Sequence, residues 1–428
     1  MVQQFSRAVF LAAALSALWP LQLPGAEAPV TWEECAASAV ASNPDIVSAR
    51  EKLEQAASAA GVTRSVLLPQ ISANASGAHS SGTPSAGNAA SNTYAYSIEG
   101  KQLIFDGLKS VYDYKASLAA VDSAKLDYAV VSAAVRSSLR AAFAGLLHAQ
   151  RSLELAREIE NVRARNYELV RVKYEAGSEH RGAFLTAKAD HEQSLADIRS
   201  AERALSLAQR KLCSLMGKPE APISVKGQLS ASSLYDEQPS FQSLAREHPS
   251  VRKARIEREA ALCELRSAQL SNSPDIYGTG SWGRQGETVS SMRSEWSVGV
   301  AASMPLFEGG ASYYSMKKAS AKLRQTESDE RGALSSTAVS IESAWNALRD
   351  SIADASVKSE YLKAETEREK IAEAQYSIGR MSFDDWTVIE SGYVKAKQNL
   401  LTAEAALLTA EAAWIQSIGG TLEHDTQK

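Results

Sequence analysis

The 428-residue chain holds three cysteines, Cys35, Cys213 and Cys263, far apart and with no C-x-x-C pair. That spacing argues against zinc ribbons, iron–sulfur clusters and a disulfide-dense scaffold. A Cys213–Cys263 bridge is open from sequence alone and would leave Cys35 over. The six histidines are scattered and form no H-E-x-x-H, and His180 and His191 are too far apart to share one helical face as a ligand pair. No G-x-S-x-G, P-loop or dinucleotide fingerprint is present, so no catalytic constellation, cofactor site or metal site is expected. A net charge of −4 gives no basic field to attract nucleic acid. Aromatic residues make up only 7% while Ala and Ser abound, a balance that suits thin helical packing better than a thick globular core. After residue 23 there is no run of 18 apolar residues, so a transmembrane helix is not expected in the mature chain.

What is present begins with an address. Residues 1–7 end in Arg7, residues 8–23 are almost wholly apolar, and small residues follow, which is the three-part shape of a secretory signal with cleavage expected after Ala26. No cysteine follows closely enough to be a lipoprotein anchor.

The remainder is written twice. Pro44-Asp45-Ile46 and Pro69-Gln70-Ile71 return as Pro249-Ser250-Val251 and Pro274-Asp275-Ile276, at a shift of 205. Phe105-Asp106-Gly107, Tyr174-x-x-Gly177 and Met216-Gly217 return as Phe307-Glu308-Gly309, Tyr376-x-x-Gly379 and Ile418-Gly419, at a shift of 202. A period this long marks duplication of a large unit and not a solenoid. The expected organisation is a signal segment at 1–26, a first repeat at 27–217, a linker at 218–240, a second repeat at 241–420 and a tail at 421–428.

Within each repeat, long tracts lack proline, which costs about 3 kcal/mol inside a helix. Leu118, Val121, Tyr128, Val131, Val135, Leu139, Phe143 and Leu146 recur mostly at threes and fours, as in a coiled-coil seam. The expectation is a helical hairpin over 108–215, turning at Gly177, and another over 311–418, turning at Gly379. Between the proline markers, Tyr94, Tyr96 and Ile98 alternate with small or polar residues, as do Trp296, Val298 and Val300. This period of two predicts strands at about 70–80, 93–105, 275–285 and 294–306. Strands of this length with one apolar face suit a transmembrane barrel, although a small soluble sheet capping a coiled coil reads the same way. Four strands cannot close in lipid, where open edges are forbidden, so a membrane reading requires several copies. Three copies give twelve strands, the smaller closure that leaves an aqueous lumen, since eight strands are filled by side chains.

The paired F-[DE]-G turns, the Tyr-x-x-Gly tips, the duplication and the signal segment together resemble the TolC-like outer-membrane efflux channel family. The resemblance implies a mainly α fold with long antiparallel hairpins forming an α-barrel and four strands per chain in a trimeric, 12-stranded β-barrel. It implies a homotrimer seated in outer-membrane lipid and reaching into the periplasm. Such a trimer is the passive exit duct of a tripartite efflux or type I secretion system, with an inner-membrane pump and a periplasmic adaptor as partners. Position by position, Ala176, Gly177 and Ser178 with Ile378, Gly379 and Arg380 become the adaptor-docking tips, and Asp384 and Asp385 the aperture gate. The chain departs from the pattern with Met381 where well-known members carry an aperture arginine and Val388 where a second aspartate would follow. Asp384 and Asp385 also suit an ordinary helix start, where carboxylates oppose the helix dipole. The competing reading of the whole chain is a secreted periplasmic coiled-coil scaffold or adaptor that conducts nothing.

Overall fold

The computed structural model describes residues 29–80, 91–227 and 237–423. The expected signal segment, the turn at 81–88, and parts of the linker and tail lie outside the described residues. In chain order the elements are α1 (Trp32–Ser42), α2 (Pro44–Ser65), β1 (Gln70–Ser80), β2 (Ser91–Phe105), α3 (Lys109–Glu175) and α4 (Arg181–Leu215). They are followed by α5 (Phe241–Glu247), α6 (Pro249–Gln269), β3 (Asp275–Gly286), β4 (Arg293–Ser303), α7 (Ala311–Ser377) and α8 (Phe383–Ser417).

The proline markers sit where proline is tolerated, at the first helical position. Asn43 caps α2, its side chain accepting from the backbone N–H of Asp45 at 2.9 Å and of Ile46 at 3.2 Å, with Pro44 next. His248 does the same for α6 through Nδ1, which accepts from Ser250 N–H at 3.2 Å, with Pro249 next. α3 and α7 each run 67 residues, on the order of 100 Å at about 1.5 Å per residue. α3 contains one stretch long and apolar enough, by length and composition, to cross a membrane; half of it is buried within the chain, where its apolar residues serve as seam.

The two repeats build their cores from the same positions. Leu139, Phe143 and Leu146 are buried in the first, and Ile341, Trp345 and Leu348, each 202 residues on, are buried in the second. The packing between repeats is not symmetric. α3 packs on α2, α4, α6 and α8, whereas α7 packs on α6, α8 and the short α5 and has no extensive contact with α2 or α4. Gly107 reports the same asymmetry, since a Cβ there would lie 2.2 Å from Ser273 Oγ, while its counterpart Gly309 has nothing within 4 Å.

The four strands form one antiparallel sheet in the order β1-β2-β3-β4. β4 stops at Ser303, short of the 294–306 read from sequence, because Pro305 lacks the N–H that the ladder needs. Register places Ala73 beside Ile98, Ile98 beside Trp282, and Trp282 beside Trp296. By alternation, one face carries Ile71, Ala73, Ala75, Tyr94, Tyr96, Ile98, Trp282, Trp296, Val298 and Val300. The other carries Ser72, Asn74, Ser76, Ser97, Glu99, Lys101, Thr279, Ser281, Glu295 and Ser297. Nothing among the described residues covers the apolar face: Trp296 is 76% exposed and Val298 80%.

All three cysteines are free. Cys213 packs in the same buried cluster as Cys35, not with Cys263 of α6, which removes the Cys213–Cys263 pairing left open by sequence. Burial in that cluster pushes the Cys35 thiol up to about 11.

Candidate functional site at the hairpin tips

Both hairpins turn in the same way. Gly177 and Gly379 adopt φ of +75° and +74°, the left-handed conformation that only glycine enters cheaply. Each tip closes with a paired hydrogen-bond motif: Ser178 N–H donates to Lys173 C=O at 2.9 Å and Gly177 N–H to Tyr174 C=O at 3.0 Å. In the second tip Arg380 N–H donates to Gln375 C=O at 2.8 Å and Gly379 N–H to Tyr376 C=O at 3.1 Å. α4 begins at Arg181, where His180 Nδ1 accepts from Ala183 N–H at 3.1 Å and caps the helix.

The tips pack side by side around an aromatic stack. The Tyr376 ring lies 4.3 Å from that of Trp386 at an interplanar angle of 11°, and Phe383 meets both edge-on. Val170, Ala183 and Ala187 of the first hairpin complete the cluster. Lys173 joins the two hairpins: its Nζ lies 3.8 Å above the Tyr376 ring and donates to Tyr376 C=O at 2.9 Å. Burial, reinforced by the Glu179 carboxylate, pushes the Tyr376 hydroxyl up to about 12. That hydroxyl, Trp386 Nε1 and Glu179 Oε2 are buried without hydrogen-bond partners among the described residues.

Asp384 and Asp385 lie exposed in the first turn of α8. Asp385 is engaged locally, accepting from Ser382 Oγ–H at 2.6 Å while Ser382 Oγ accepts from Asp385 N–H at 3.1 Å. It therefore stabilises the helix start, whatever else it does. Ile378 at the second tip is 65% exposed and Val388, one turn past Asp385, is 72% exposed.

Above the tips, the hairpins meet along a polar seam that sequence reasoning missed. Arg163 of α3 pairs with Asp190 of α4 at 2.9 Å, and Lys397 of α8 reaches Glu158 of α3 at 2.6 Å. Between these pairs Glu390 of α8 is buried, 5% exposed. A signal for it was present: Phe383, Trp386, Glu390, Tyr393 and Lys397 step by three and four, placing a carboxylate in a seam position.

Comparison with known proteins finds the family described as "Outer membrane efflux protein" matching residues 36–218 and 241–420. Nodulation protein T of Rhizobium leguminosarum bv. trifolii is 24% identical over 289 residues, which is 63% of this chain and 60% of that protein's length. Among solved structures, the Neisseria gonorrhoeae MtrE outer membrane channel in its open state superposes with a TM-score of 0.81 at 20% identity, over 92% of this chain and 90% of that one. The outer membrane protein VceC of Vibrio cholerae gives 0.76 at 18% identity, over 91% and 96%.

Proposed function

Because this chain belongs to the outer membrane efflux protein family, we propose that it works as a homotrimeric duct. Its sheet contributes to a twelve-stranded barrel in the outer membrane, and its hairpins form a periplasmic tunnel that takes substrates from an inner-membrane pump through a periplasmic adaptor. The observation that carries this reading is the sheet. An exposed apolar face with Tyr94, Tyr96, Trp282 and Trp296 toward one end, backed by a polar face, is what lipid outside and water inside require. Its edges β1 and β4 have no partner in the chain among the described residues, and lipid does not tolerate an open edge.

The helices support the same assembly. The two repeats are alike, so contacts that α3 makes with α6 and α8 have equivalents between α7 and α2 and α4. Among the described residues one chain makes no extensive contacts of that kind. A neighbouring copy supplies them in a head-to-tail contact, which closes as a ring when the rotation permits. Leu68, 205 residues before Ser273 and 49% exposed, then covers Gly309 of the adjacent copy.

In this assembly Ala176, Gly177, Ser178, Ile378, Gly379 and Arg380 form the rim offered to the adaptor, and three copies of Asp384 and Asp385 gather near the axis. Converging carboxylates attract cations, as acidic rings do in selective pores. Asp385→Ala is expected to raise conductance and lower cation preference, and Asp384→Asn to lower cation preference with the Ser382 cap intact. Unchanged conductance and selectivity in both variants would remove these residues from the gate.

The deciding experiment is mass determination in detergent followed by single-channel recording in a planar bilayer. A trimer with discrete conductance supports the duct. A monomer or dimer without conductance overturns it in favour of the non-conducting scaffold.

A further inference from the structure

Glu390 sits in the least comfortable place in the seam. Asn166 of α3 lies beside it and favours its charged form, yet the geometry is poor enough that Glu390 Oε1 and Asn166 Nδ2 are both buried without a well-formed hydrogen bond among the described residues. The charged groups facing Glu390 are Arg163 of α3, Asp190 of α4 and Glu369 of α7. Arg163 is already paired with Asp190 at 2.9 Å, so a negative Glu390 shares one cation with a second carboxylate and stands near a third. A crevice of about 480 Å³ between α3, α4 and α8 is lined by Arg163, Asp190, Gln193, Val394 and Gln398, and gives protons a route to the cluster. A buried carboxylate whose oxygen has no partner is a costly group to keep charged.

We propose that Glu390, Asn166, Arg163 and Asp190 form a proton-sensitive lock that holds α8, and with it the second tip, against the first hairpin. The proposal rests on the duct reading and adds regulation to it.

Burial raises the Glu390 carboxyl above the usual range, Asp190 and Glu369 push it further, and Arg163 and Asn166 oppose them. The sign follows from linkage. The packed state binds the Glu390 proton more tightly than the separated state, so packing is favoured at low pH and weakens as pH rises through the raised value. Acid closes; alkali loosens.

The test compares wild type with Glu390→Gln, which fixes the neutral form, and with Arg163→Gln, which removes the facing cation. Two readouts are taken between about pH 5.5 and pH 8: single-channel conductance, and hydrogen exchange of α8 residues 383–397 in detergent-solubilised protein, corrected for intrinsic rates. In wild type both are expected to rise with pH, by about twofold or more. In E390Q both stay at the low-pH level throughout, and in R163Q the rise moves to higher pH, because without the opposing cation Glu390 keeps its proton longer. The same pH dependence in wild type and E390Q overturns the lock, as does a wild type insensitive to pH. Absence of conductance with pH-dependent exchange that E390Q abolishes refutes the duct while the lock stands.

Discussion

Leu108 has φ of +72°, the single non-glycine residue with positive φ among those described. Its counterpart in the second repeat is Gly310, at +90°. A left-handed L-residue costs roughly 1–2 kcal/mol, and Leu108 is 55% exposed, so its side chain recovers only part of that by burial. Leu108→Gly is expected to stabilise the fold by about 1 kcal/mol, read as a higher midpoint in thermal unfolding; a lower midpoint would show that the leucine makes a stronger contact in the assembly. The position also serves as the N-cap of α3, where glycine is well accepted.

At the scale of elements, the hairpins were legible because their punctuation is chemical. Gly177 and Gly379 stop helices and prolines start them, and both effects act through backbone geometry that one residue type fixes. The contents of the tip were less legible. Tyr376 was visible as part of the Tyr-x-x-Gly pattern, but its stacking on Trp386 and its contact with Lys173 join residues 10 and 203 positions away. No periodicity reports a contact between separate hairpins. Lys173→Met, which keeps length and removes charge, is expected to weaken tip pairing by about 1 kcal/mol and to raise channel open probability. Tyr376→Phe keeps the ring and removes a hydroxyl without a partner, so it should leave the channel near wild type. Equal effects of the two substitutions in bilayer recordings would count against the ring as the element that Lys173 holds.

At the scale of the whole molecule the two faces of the sheet make opposite demands. Val298 and Ser297 are neighbours in β4, so their side chains point to opposite faces. Val298→Arg is expected to cost about 2–4 kcal/mol if that face meets the bilayer core, whereas Ser297→Arg projects into water and is tolerated. Fractionation decides between them: S297R should reach the outer membrane as a heat-modifiable oligomer, and V298R should not. If both behave alike, the apolar face does not lie in lipid.

The sequence by itself determined the class of fold and its punctuation. The mainly helical chain, the long hairpins, the four strands and the duplication all follow from local preferences, namely a seam at threes and fours, alternation at twos, and glycine and proline at fixed offsets. Only the tertiary structure decided which residues meet across the hairpins. It put Cys35 rather than Cys263 near Cys213, set Lys173 against Tyr376, and buried Glu390 beside Arg163 and Asp190. It also left α7 without extensive contacts on α2 and α4 to match those that α3 makes on α6 and α8. These depend on how two helices of about 100 Å are aligned along each other. That alignment is set by summed packing over many weak contacts, which no single stretch of sequence encodes.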